Sequence, residues 1–170
     1  ANGDWSFTPT APLPEGTYTV YAAGITQGVQ GPSSSTNTFM VDLTPPAAPV
    51  VVTPANGAII ANNTPTYTGT AEAGTTVTVF VDGVEVGTTL TDGAGNWSLT
   101  PVAPLPDGQH TVGATATDAV GNTSPPSNTN TFTVDTMPPA APVVLTPADG
   151  STIGDNTPTY SGTAEAGSTV

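Results

Sequence analysis

Val41-Asp42-Leu43-Thr44-Pro45-Pro46-Ala47-Ala48-Pro49-Val50 returns 93 residues later as Val134-Asp135-Thr136-Met137-Pro138-Pro139-Ala140-Ala141-Pro142-Val143. Each copy follows one apolar, strand-like run and precedes another. Proline has no amide donor and a fixed φ, so Pro-Pro cannot continue a sheet ladder. The segment therefore reads as a stiff, extended connector between folded units. Repetition spreads outward from it. Gly3-Asp4-Trp5-Ser6-Phe7-Thr8-Pro9 matches Gly95-Asn96-Trp97-Ser98-Leu99-Thr100-Pro101, and Ala11-Pro12-Leu13-Pro14-Glu15-Gly16 matches Ala103-Pro104-Leu105-Pro106-Asp107-Gly108. Asn63-Thr64-Pro65-Thr66-Tyr67-Thr68-Gly69-Thr70-Ala71-Glu72-Ala73-Gly74 matches Asn156-Thr157-Pro158-Thr159-Tyr160-Ser161-Gly162-Thr163-Ala164-Glu165-Ala166-Gly167. The expected organisation is the back half of one repeat at 1–45, a complete repeat at 46–138 and the front of a third at 139–170.

Within the complete repeat, seven short strands are expected near 49–53, 65–71, 76–81, 84–90, 96–100, 109–117 and 129–135. Turn dipeptides separate them, among them Asn56-Gly57, Asp82-Gly83, Asp92-Gly93 and Asp107-Gly108. Val77, Val79 and Val81 alternate with polar or outward positions, as do Val112, Ala114 and Ala116, and Phe132 and Val134. Period two marks strands with one face inward. Seven of them in this length predict an all-β fold: immunoglobulin-like β-sandwich repeats in tandem, about 93 residues each.

Composition narrows the function. The chain has 170 residues with no Lys, Arg or Cys and a single His against thirteen Asp and Glu, a formal charge of −13. Phosphate recognition needs cationic side chains, so nucleic acid and anionic lipid are excluded as partners. Disulfides and thiolate chemistry are absent. No apolar run approaches a membrane span, and no signal peptide is seen; an export address would lie outside this segment.

Taken together, Thr64–Gly74, Val81-Asp82-Gly83, Gly95-Asn96-Trp97-Ser98, Ala116–Asn122 and the Asp42 linker resemble the tandem bacterial immunoglobulin-like repeats of giant surface adhesins and biofilm-associated proteins. The resemblance covers essentially the whole chain. It implies β-sandwich beads strung outside a bacterial cell, in adhesion or biofilm formation, many relatives holding calcium between beads. Two departures stand out. Some relatives carry paired acids before the Thr-Pro-Thr run, where this chain has Ala61-Asn62-Asn63. The first repeat has Thr26-Gln27-Gly28-Val29-Gln30 where the Asp118 motif would fall.

Alternating the strand ends in the usual sandwich order puts the loops at Ala71–Thr75, Asp92–Gly95 and Asp118–Asn122 at the pole that receives the linker. The turns at Asp82-Gly83 and Asp107-Gly108 fall at the opposite pole. Glu72, Asp92 and Asp118 are thereby expected near Asp42, with Glu15 approaching from the preceding bead. Carboxylates that close repel unless compensated, and calcium suits flexible carboxylate and carbonyl sets. The expected metal residues are Asp42, Glu72, Asp118, Asp92 and Glu15 at the first junction, and Asp135 and Glu165 at an incomplete second one. The competing reading makes them ordinary turn residues.

Trp5 and Trp97, like Tyr67 and Tyr160, are expected to fill cores rather than stack on sugars. His110 has no second His or Cys and reads as structural. Asn62, Asn96 and Asn122 match the glycosylation acceptor pattern, which a Thr- and Asn-rich chain reaches by chance. Catalysis is not expected: nucleophile–base pairs need His or Lys beside Ser or Thr. A glycosidase carboxylate pair fits poorly with acids that recur from bead to bead. The leading functional expectation is a structural extender of an extracellular adhesin or fibre, with neighbouring repeats as partners. A glycan- or protein-binding module and a filament subunit assembled by strand exchange are the alternatives.

Overall fold

The computed structural model describes residues 3–170, and every regular element among them is a strand. Before the first linker lie β1 (Gly16–Val20), β2 (Ala23–Thr26), β3 (Val29–Ser33) and β4 (Asn37–Val41). The central unit comprises β5 (Val50–Thr53), β6 (Ala58–Ile60), β7 (Tyr67–Thr70), β8 (Thr76–Val81), β9 (Val84–Leu90), β10 (Asn96–Leu99), β11 (Gly108–Thr117) and β12 (Asn130–Val134). After the second linker come β13 (Val143–Thr146) and β14 (Ser161–Thr163).

The central unit is a two-sheet sandwich. One sheet has the order β10-β7-β5 and the other β6-β12-β11-β8-β9. All pairings are antiparallel except β12 with β6. Period-two patterning decides what lies inside. Val77, Val79 and Val81 of β8, Val112, Ala114 and Ala116 of β11, and Phe132 and Val134 of β12 are buried from the five-stranded side. Val51, Tyr67 and Trp97 face them from the three-stranded side. The alternate, outward positions are Thr76, Thr78 and Phe80 in β8 and Thr131 and Thr133 in β12.

Two features define the three-stranded sheet. Gly69 has no room for a side chain: a Cβ there would collide with the Val50 carbonyl and the Trp97 ring. The Thr-Gly-Thr motif is thus the bed on which the indole lies. On the other side of β5, exposed Asn128 acts as a missing ladder partner at the free edge of the sheet. Its Oδ1 accepts the Val51 N–H at 2.9 Å and its Nδ2 donates to the Val51 carbonyl at 3.0 Å. Buried Asn130 donates to the Pro54 carbonyl at 2.9 Å.

The structure corrects three expectations. The central unit has eight strands, not seven. Pro54 ends the first ladder, and the chain then crosses to the other sheet, where Ala58–Ile60 pairs parallel to β12. Trp5 and Tyr160 are not core fillers here. They are 71% and 74% exposed, whereas Trp97 and Tyr67 are 3% and 0%. Among the described residues, the first unit's β1–β4 and β2–β3 pairs and the third unit's β13–β14 pair have no second sheet packed on them. The aromatic positions are equivalent, but burial needs both layers.

Candidate functional site: the junctions between units

At the first junction the linker is held from both sides. On the side of the preceding unit, the Thr44 hydroxyl donates to Glu15 Oε2 at 2.6 Å, and Asp42 Oδ1 accepts the Thr44 N–H at 3.1 Å. On the side of the central unit, Asn122 Nδ2 donates to the Asp42 carbonyl at 3.2 Å.

Asn122 belongs to a self-contained loop clasp. Asp118 Oδ1 accepts the N–H groups of Val120, Gly121 and Asn122 at 2.8–2.9 Å, and Oδ2 accepts Asn122 Nδ2 at 2.8 Å. Desolvation works to raise the Asp118 carboxyl, but the Asn122 amide and these backbone donors outweigh it and hold it below the usual carboxylate range. The same pentapeptide form, Asp-x-x-Gly-Asn, closes the loop at 92–96. Asp92 Oδ1 accepts Ala94 and Asn96 N–H groups at 2.9 and 2.8 Å, and Oδ2 accepts the Asn96 amide at 3.1 Å. The Asn96 side chain is the main cause of the lowered Asp92 pKa. Glu72 lies in the neighbouring loop, side chain exposed, its carbonyl accepting the hydroxyls of Thr75 and Thr91 at 2.7 and 3.0 Å. Ala71 N–H to Gly95 carbonyl, 2.8 Å, ties these two loops together. Loop 118–122 meets the arriving linker through Asn122, and Glu15 reaches the linker from the preceding unit.

The second junction repeats the hold with a different reach. Asp107, in the turn equivalent to Glu15, accepts the N–H and hydroxyl of Thr136 at 3.1 and 2.8 Å. Asp135 Oδ1 accepts the Met137 N–H at 3.1 Å, and Glu165 Oε2 accepts the Ala140 N–H at 3.0 Å. Thr44 lies two residues past Asp42, and Thr136 one past Asp135. The longer Glu15 meets the farther threonine and the shorter Asp107 the nearer one.

A family model described as a bacterial Ig-like domain matches residues 53–136. The chain contains a bacterial Ig-like domain. Among solved structures, a biofilm-associated protein domain is 28% identical over a match covering 74% of this chain and 20% of that one, TM-score 0.42. A bacterial ice-binding adhesin structure is 20% identical, covering 76% and 62%, TM-score 0.37. A fibronectin(III)-like module structure of Clostridium thermocellum CbhA is 19% identical, covering 51% and 95%, TM-score 0.39. This chain thus spans only a fifth of the biofilm-associated structure's length. A search of curated protein sequences finds no match.

Among the described residues no three His, Asp or Glu side chains come together as a metal-binding group. Asp92 and Asp118 spend their oxygens on the donors of their own loops, Asp42 and Glu15 give an oxygen each to Thr44, and Asp135 and Glu165 accept linker N–H groups. Sequence reasoning placed the acids at the ends of the sandwich but missed the clasp. The Asp-x-x-Gly-Asn spacing, present twice, was the signal for it.

The Ig-like sandwich also has the corner in which a residue at the start of the penultimate strand bonds back to the chain a few residues upstream. In the first unit the Tyr18 hydroxyl donates to the Pro14 carbonyl at 2.8 Å, with the ring stacked on Phe39 at 5.7 Å. In the Ig-like domain His110 takes that place. It is 7% exposed, bonded to the Pro106 carbonyl at 2.9 Å and packed on Phe132 at 5.8 Å. The expectation of a structural histidine fits this position.

Proposed function

We propose that the chain is a structural segment of a bacterial extracellular adhesin or fibre, with one complete Ig-like unit at 46–138 between parts of two others. Its work is mechanical: it sets distance and angle between units. The observation that carries this reading is the repeated hold on the linker. At both junctions the acid of the turn just before β1 or β11 engages a threonine of the outgoing linker. A prolyl linker limits its own bending, and two side-chain bonds at its root remove freedom that proline leaves. The match to a bacterial Ig-like domain supports the surface setting and a non-catalytic role.

A calcium ion at Asp42, Glu72 and Asp118 would add a further clamp. It would have to compete with the Asn122 amide for Asp118 and for the Asp42 carbonyl. The rod does not depend on it.

The test is small-angle scattering on the 170-residue chain, with calcium and with chelator at equal ionic strength. The expected result is an extended particle in both, with Thr44→Val and Thr136→Val together broadening the distribution of lengths. A parent that samples compact and extended shapes equally, with no response to these substitutions, sinks the spacer reading and favours the binding module. Lengthening only in calcium assigns the stiffness to the ion.

A further inference from the structure

The corner residue differs between successive units, and the difference is one of charge. His110 has two partners. Nε2 lies 2.9 Å from the Pro106 carbonyl and Nδ1 2.7 Å from Asp82 Oδ2. A carbonyl only accepts, and so does an ionised carboxylate. A neutral imidazole owns one N–H and one lone pair. Whichever tautomer forms, it satisfies one partner and turns a lone pair on the other. An imidazolium donates to both.

We propose that His110 is held as an imidazolium, a buried cation in a chain without lysine or arginine, and that its proton operates a clamp between the β8–β9 turn and the start of β11. Asp82 is built to receive it. It sits in the left-handed region, φ 51°, ahead of Gly83 at φ 78°, the pattern of a two-residue type I′ hairpin turn. Its backbone N–H donates to the Thr111 carbonyl at 3.0 Å. Its Oδ1 accepts the Thr111 N–H at 2.8 Å and hydroxyl at 3.2 Å, leaving Oδ2 for the imidazole. Thr111 anchors the turn whatever the charge on His110, so loss of the proton loosens the clamp without releasing it.

Phe132 of β12 is neutral. Tyr67 of β7, which packs on Phe132 at 6.3 Å, has its phenol pushed up to about 12 by burial first and by the Asp82 charge second. Asp107, one residue past Pro106, gives its carboxylate to Thr136. The bond to Asp82, then that to Pro106, raise the His110 pKa against the opposing effect of burial. Desolvation pushes the Asp82 carboxyl up, and its bonds to His110 and Thr111 more than reverse that. The raised histidine gives stability that is full below its unfolded value and fades as pH rises through its folded value. The lowered aspartate gives stability present above its unfolded value and lost as pH falls through its folded value. The clamp is therefore whole between the lowered Asp82 and the raised His110 pKa values. Above that window the Ig-like domain loosens, while the Tyr18 corner of the preceding unit, with a neutral donor, does not respond.

The experiment uses the whole chain grown with nitrogen-15 histidine. His110 is the only histidine, so one pair of ring signals reports it. At neutral pH both nitrogens should carry protons, with a midpoint above that of the same chain unfolded in urea, and Asp82→Asn should lower that midpoint. The melting temperature should fall as pH is raised through the midpoint, and His110→Tyr, borrowing the residue of the preceding unit, should flatten that dependence. A bare ring nitrogen at neutral pH, or a midpoint no higher than in the unfolded chain, overturns the proposal. The titration of the parent decides the matter even if His110→Tyr does not fold.

Discussion

The unit before the first linker and the unit after it build the same strand pair by different means. In the first, the path equivalent to β11 breaks into β1 and β2, and the loop beyond is a hairpin. Gln27 and Gly28 both take positive φ, 53° and 79°, and β2 pairs with β3. In the second, β11 runs unbroken for ten residues and ends in the Asp118–Asn122 clasp that meets the linker. Yet small supports coincide. Ser34 Oγ accepts the Ala22 N–H and Ser127 Oγ the Ala114 N–H, each then donating to the next residue's carbonyl. A unit can thus keep its ladder and its corner while exchanging the loop that faces its neighbour. Junction chemistry varies on a constant frame.

The sharpest way to break this comparison is through the close approach at Gly69. Gly69→Ala should cost more than the about 1–3 kcal/mol usual for overpacking, because backbone and indole are both in the way. Urea unfolding followed by Trp97 fluorescence would show it. Gly162→Ala, at the equivalent place in the third unit, should leave that transition where it was. Next comes the tryptophan pair. Trp97→Ala should destabilise by about 3–5 kcal/mol, and Trp5→Ala by nothing measurable, both followed by far-UV circular dichroism because the first removes the fluorescent probe. Equal effects would mean that the first unit has a core not seen here.

A smaller effect is expected at Tyr67. Its hydroxyl is buried and finds no hydrogen-bond partner among the described residues. Tyr67→Phe should be neutral or stabilising, by up to about 1–3 kcal/mol, the cost of an unsatisfied buried polar group. Clear destabilisation would reveal a partner for the hydroxyl. Smallest of all is the linker hold. Thr44→Val removes one exposed hydrogen bond, about 0.5–1.5 kcal/mol at most. Faster amide exchange should be confined to the linker, and a shift in the global melting temperature would show that the bond does more than orient.

The sandwich was readable because its evidence is local: valines at period two, turn dipeptides, and prolines where a ladder must stop. What was missed depends on partners far along the chain. Ala58-Ile59-Ile60 is too short to declare itself and becomes a strand only against β12, more than 70 residues on. The Asp82–His110 bond spans 28 residues, though Tyr18 behind the same Pro-Leu-Pro turn hinted at the corner. The junction acids were expected at the ends of the sandwich from strand order alone. Their occupation by amide donors was legible only in the repeated Asp-x-x-Gly-Asn, a spacing that encodes loop geometry rather than charge.

The matched lengths of Glu15 with Thr44 and Asp107 with Thr136 bear on how such arrays can be recombined. Both partners of each pair lie in one repeat, 29 residues apart. A crossover between Thr44 and Pro45, or just after Thr136, would carry the pair intact into any new neighbourhood. A crossover inside the penultimate strand would join a long acid to a near threonine, or a short one to a far threonine, and leave the root of the linker slack. Hybrids spliced at these two kinds of position would have the same composition and the same fold, but only the first kind would inherit its bend.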